Sequence, residues 1–137
     1  VTRWEVGLAL GLGLLTAAYA RPRVQTFLHR TWRAEVGVVL EDLRAAQTAH
    51  RRAQQDWFDL PASPRSPGHV GTNAVPWSGT ERWSPPLPSL RGSYRTERTD
   101  EGIRYIGECD VDGDGVRAVY TASPGGAPRR ITPDHVY

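Results

Sequence analysis

The 137-residue chain has no lysine, no methionine, two phenylalanines and one cysteine. Its 17 basic residues are all arginine and face 15 acids, for a net charge of +2, so it is no polyelectrolyte. Nucleic acid is therefore not the partner that its charge implies, despite an isoelectric point near 9.0. A lone Cys109 excludes an internal disulfide and a cysteine-rich zinc site. A chain that opens at Val1 and contains no methionine reads as a trimmed product. At this length, with 39% hydrophobic residues, one small domain is expected and a large multi-domain enzyme is excluded. His29, His50, His69 and His135 are scattered, with no nucleophile elbow, metal-spaced pair or phosphate-cradling glycine loop, so no catalytic activity is expected.

Long hydrophobic runs are also scarce. The one candidate, residues 6–20 (VGLALGLGLLTAAYA), is uncharged and bounded by Glu5 and by Arg21-Pro22-Arg23. As a helix it spans about 22 Å, short of the ~30 Å hydrocarbon core. It is apolar all round, so it needs lipid or other copies around it, with Trp4 and Tyr19 at the interfaces and the arginines snorkelling. From Arg23 to about Asp59 an amphipathic pattern follows. Leu28, Trp32, Val36, Val39, Leu43, Ala46, Ala53 and Trp57 mark one stripe, opposite Arg30, Arg33, Glu41, Arg44, Arg51 and Arg52. One helix of nearly 60 residues is expected, with a joint at Pro22, where a backbone donor is missing.

Seven of the 11 prolines lie between Pro61 and Pro88, which predicts a loop. Beyond it, residues 92–98, 103–108 and 116–122 have strand character and are separated by turn-rich segments, so an antiparallel meander is predicted. The fold class is α+β, a long N-terminal helix packed on a small C-terminal antiparallel sheet. The chain divides into an apolar helix segment 1–25, an amphipathic segment 26–59, a proline-rich loop 60–90 and a sheet with tail 91–137.

Six acids crowd residues 100–114 against the single Arg104. Asp110, Asp112 and Asp114 alternate with Val111 and Gly113, like the first half of an EF-hand calcium loop. The twelfth position is Thr121 rather than a bidentate Glu, so a calcium site would be irregular, with Glu108 or Asp134 as further ligands. A plain hairpin turn is the alternative. Trp77 and Trp83 with Arg82, near Tyr94, Tyr105, Arg91 and Arg95, are candidates for contacting a surface or single-stranded DNA. More often such aromatics pin a proline-rich loop onto a sheet, and the weak net charge argues against nucleic acid.

The N-terminus resembles the mature type IV pilins and the pseudopilins of type II secretion. The resemblance rests on Val1 followed by Thr2, the lone acid Glu5 entering an apolar stretch, and Pro22, over about 25 residues. Departures are Val rather than Phe at the first position, a charge at Arg3, Leu14 where glycine is common, and no C-terminal disulfide. The resemblance implies cleavage by a prepilin peptidase, methylation at Val1, anchoring in the bacterial inner membrane by the N-terminal helix, and the inner-membrane assembly machinery as a partner. Homopolymerisation through the N-terminal helices into an extracellular pilus then follows, with Val1, Glu5 and Pro22 as assembly residues. A buried Glu5 needs a cation, most naturally the Val1 amine of a neighbouring subunit. The alternatives are a periplasmic pseudopilus, or a single-pass membrane protein whose outer domain binds calcium or another ligand.

Overall fold

The computed structural model describes residues 3–65 and 73–137. A 52-residue helix, α1 (Arg3–Gln54), leads into the short paired strands β1 (Val75–Pro76) and β2 (Ser89–Leu90). The strands β3 (Gly92–Thr99), β4 (Gly102–Cys109), β5 (Ala118–Ser123) and β6 (Gly126–Arg130) then form one antiparallel sheet in chain order. The chain is thus α+β, a long helix on a small meander. The sheet has one more strand than the sequence predicts, because β6 carries Gly126 and Pro128, which usually argue against a strand. Pro128 is tolerated because β6 is an edge. Ile131 donates to Val119 O, so Pro128 and Arg130 alternate toward the unpaired side, where a missing N–H breaks no ladder. The opposite edge is covered. Residues 60–63 lie along β3, with Ser63 and Tyr94 exchanging backbone hydrogen bonds of 2.9 Å and Thr96 N reaching Leu60 O.

Helix α1 runs through Pro22 without ending, so the expected joint is not a break. It stops five residues before the predicted end. Gln55 takes a positive φ of 60° while its N–H still reaches Arg51 O, a left-handed residue closing the last turn. Gln47, wholly buried, then fixes the chain reversal: its Nε2 donates to Phe58 O and its Oε1 accepts from Phe58 N. Trp57 therefore lies beyond the helix. It packs against the core from the reversing segment.

The buried stripe is Arg33, Val36, Val39, Leu40, Leu43 and Gln47, turned slightly from the predicted one. Leu28 and Ala53 are exposed because the sheet covers only the middle of the helix. Arg33, expected on the solvent side, is buried. Its Nη1 donates to Asp134 O and Val136 O, and its Nη2 to Asp134 Oδ1. The ring of Tyr137 stacks on its guanidinium. Five planar donors satisfy these carbonyls, so burial is tolerated. The sheet's helix-facing side brings Tyr94, Ile103, Tyr105, Cys109, Ala118 and Ala122 to the stripe. Helix side chains pack directly on β4 at Gly107, where an added Cβ would meet Val36 Cγ1 at 2.6 Å and Leu40 Cγ at 3.2 Å.

Gly107→Ala is therefore expected to destabilise the head by about 1–3 kcal/mol, as overpacking does. Urea unfolding checks this, with Gly125→Ala as the control, since nothing lies within 4 Å of a Cβ there.

Candidate metal centre

Strand β4 ends at Cys109 and β5 begins at Ala118, and the connection between them is the acidic turn. Its shape comes from two glycines. Gly113 has φ 72° and Gly115 φ 85°, left-handed values that side-chain-bearing residues adopt with strain. Asp110 organises the turn from within: its Oδ1 accepts from Gly113 N at 2.8 Å and its Oδ2 from Gly115 N at 3.0 Å. Asp114 Oδ1 accepts from Val116 N at 2.7 Å. The turn is pinned to the core by Val111, which is buried and donates its N–H to Tyr137 O. Val111 is the signal in the sequence for that anchorage, a lone aliphatic side chain among acids and glycines.

The result is convergence. Asp110, Asp112 and Asp114 each bring one carboxylate oxygen within 4.8 Å of the others. Oxygens bound to one Ca²⁺ at 2.3–2.6 Å lie no more than about 5 Å apart, so the three fit around a single hard cation. Asp112 Oδ1 is buried and accepts no hydrogen bond among the described residues. Burial, followed by the charge of Asp114, holds the Asp112 carboxyl above its ordinary range. An acidic turn that resists ionisation of one member suits a group that would supply positive charge. These residues can hold a metal ion.

The other candidate ligands point elsewhere. Glu108 is held by Arg117 at 2.7 Å and Arg95 at 3.5 Å, and Asp134 by Arg30, Arg33 and Arg130. Thr121 lies within β5, opposite Ile106 and Arg129. No helix flanks the turn, so the EF-hand likeness is confined to its first half.

The aromatic residues proposed for surface contact are mostly interior. Trp83 is buried, its Nε1 donates to Asp42 Oδ2 at 2.8 Å, and its ring meets that of the half-buried Trp77 edge-on at 5.1 Å. Tyr94 and Tyr105 are wholly buried, and Arg91 reaches Glu35 and lies over Trp32. These side chains pin the loop to the head. Of the group only Arg82 is exposed. Cys109 is a core residue. Burial, reinforced by nearby Glu35, pushes its thiol up to about 12, so it stays protonated and unreactive. Pro22 is exposed on α1. Val1 and the side chain of Glu5 lie outside the described residues.

The raised Asp112 carboxyl makes a signed prediction. A group protonated more readily in the folded chain favours folding below its ordinary range, and that contribution is lost as pH rises through the folded value. Without metal, Asp112→Asn is expected to raise the melting temperature slightly at neutral pH and to leave it unchanged in acid. Thermal melts of both proteins in chelator across that range check it.

Comparison with known proteins finds no matching protein-family model, curated protein or solved structure.

Proposed function

We propose that this chain is a structural subunit of a pilin-like filament, polymerising through the first half of α1, with the acidic turn of its head holding calcium. One observation carries the reading. Residues 13–25 of the helix are all exposed, and Leu14, Leu15, Tyr19 and Phe27 stand 66–72% exposed. Large apolar side chains projecting from a folded head call for a partner. Lipid supplies it before assembly and copies of the same helix afterwards, and head-to-tail repetition of such a contact makes an open helical array.

Among the described residues no helix is long and apolar enough to cross a membrane. The N-terminal likeness around Val1, Glu5 and Pro22 supplies the specific family. Glu5 sets register by meeting the Val1 amine of the next subunit.

Replacing Glu5 with Ala is expected to abolish filaments while leaving a folded head. Electron microscopy of sheared surface fibres, with mass spectrometry of their subunit and its first residue, checks both assembly and methylation. Normal filaments from the variant would remove the register role, and the absence of this chain from any fibre would remove the reading.

Calcium at millimolar concentration is expected to raise the melting temperature of the native chain and to leave that of Asp112→Ala unchanged. An equal response of the two proteins would exclude the turn as the calcium site.

A further inference from the structure

The net charge of the chain is unevenly placed. Residues 6–31 carry Arg21, Arg23 and Arg30 and no acid, whereas residues 32–137 carry 13 arginines against 14 acids. The excess positive charge thus sits on the exposed stretch of α1 between the apolar run and the head. Most head arginines near acids are consumed by them, as Arg95, Arg98, Arg117 and Arg130 are. Among the described residues neither Arg21 nor Arg23 is paired with a carboxylate, and Arg30 makes only an exposed 3.5 Å pair with Asp134.

We infer that this neck binds an anionic phospholipid surface, with Arg21 and Arg23 engaging the headgroup phosphates. The inference rests on the proposed seating of residues 6–20 in lipid. Their order along the helix fits a membrane boundary: exposed Leu14 and Leu15, then Tyr19, then the two arginines. Tyr19 and Arg23 act as one unit. The Arg23 Nη2 donates to Tyr19 Oη at 2.6 Å and its guanidinium lies 4.6 Å from the ring centre. An amphipathic ring with a cation at its polar tip suits the headgroup level.

Geometry favours a lipid layer over a protein partner. Arg21 and Arg23 differ by about 3 Å in height and by roughly 200° around the helix. A protein docking on one face meets one of them, whereas headgroups encircling the helix meet both. The apolar run is short, about 22 Å against ~30 Å of hydrocarbon, which draws the phosphates and the arginine tips toward one another.

The test is flotation of the full chain with vesicles of phosphatidylcholine alone and of phosphatidylcholine mixed with phosphatidylglycerol. Partition onto the anionic vesicles is expected to be stronger by on the order of tenfold, and the difference to shrink in high salt. Arg21→Gln with Arg23→Gln should erase most of that preference, and Arg21→Lys with Arg23→Lys should keep it. The substitutions touch no head residue, so an unchanged circular dichroism melt confirms folding. Equal binding to both vesicles overturns the inference and leaves the lipid-seated segment standing. Binding to neither overturns both. An anionic preference that survives the Gln variant places the lipid contact elsewhere and also overturns it, as would tight association in solution with an acidic protein but no charge preference for lipid.

Discussion

At Gly107 the side chains of α1 pack directly on the backbone of β4, and the rest of the head depends on that approach. With no side chain on β4 at this position, Val36, Leu40 and Tyr94 occupy the space a Cβ would take, and further along the helix Leu43 and Gln47 are wholly buried. A short four-stranded sheet exposes one apolar face that it cannot cover alone. The helix covers it, and in doing so is divided. Residues 33–47 become part of a domain, while residues 13–25 before them stand exposed.

Two polar contacts hold this arrangement at its ends. At one end Gln47 satisfies both backbone groups of Phe58 and so returns the chain toward the β3 edge. At the other, Arg33 gathers the carbonyls of Asp134 and Val136, and the C-terminal segment is clasped against the helix. Val111 joins the same clasp through Tyr137 O. The acidic turn, the C-terminal residues and the point where the helix leaves the head are thus one connected patch. A cation bound among Asp110, Asp112 and Asp114 would stiffen the turn that this clasp supports, which places the metal question close to the base of the projecting helix.

Much of this was legible in the sequence, and the parts that were not have identifiable causes. The amphipathic spacing from Val36 to Leu43 and the turn residues around Asp100 and Asp112 are strong local signals, and they foretold the helix, three strands and the meander. The end of the helix was misplaced because Gln55 adopts a left-handed backbone that its residue type does not announce. Strand β6 was hidden by Pro128, which reads as a breaker until its position on an edge is known. Arg33 looked like a solvent residue because its acceptors lie about a hundred residues away. The aspartates were readable as a possible metal set from their alternation, and their convergence needed the positive φ angles at Gly113 and Gly115. Trp83, Tyr94 and Tyr105 show the limit of composition: aromatics beside arginines suggest a binding face, and only the fold reveals that the rings point inward.

The absence of lysine also acquires a physical sense. Arg98 serves Asp56, Asp59 and the carbonyl of Trp57 at once, and Arg33 serves three acceptors from a buried site. Such sharing uses a planar fork of five donors, which an ammonium group lacks. In the head, then, arginine works as a multivalent cross-link that leaves little net charge behind. In the neck, among the described residues, Arg21 and Arg23 pair with no carboxylate, and their charge and long apolar stems are left for the surroundings. The one residue type thus divides the chain into a neutralised head and a cationic stalk, and the boundary between them falls where the helix stops being covered by its own sheet.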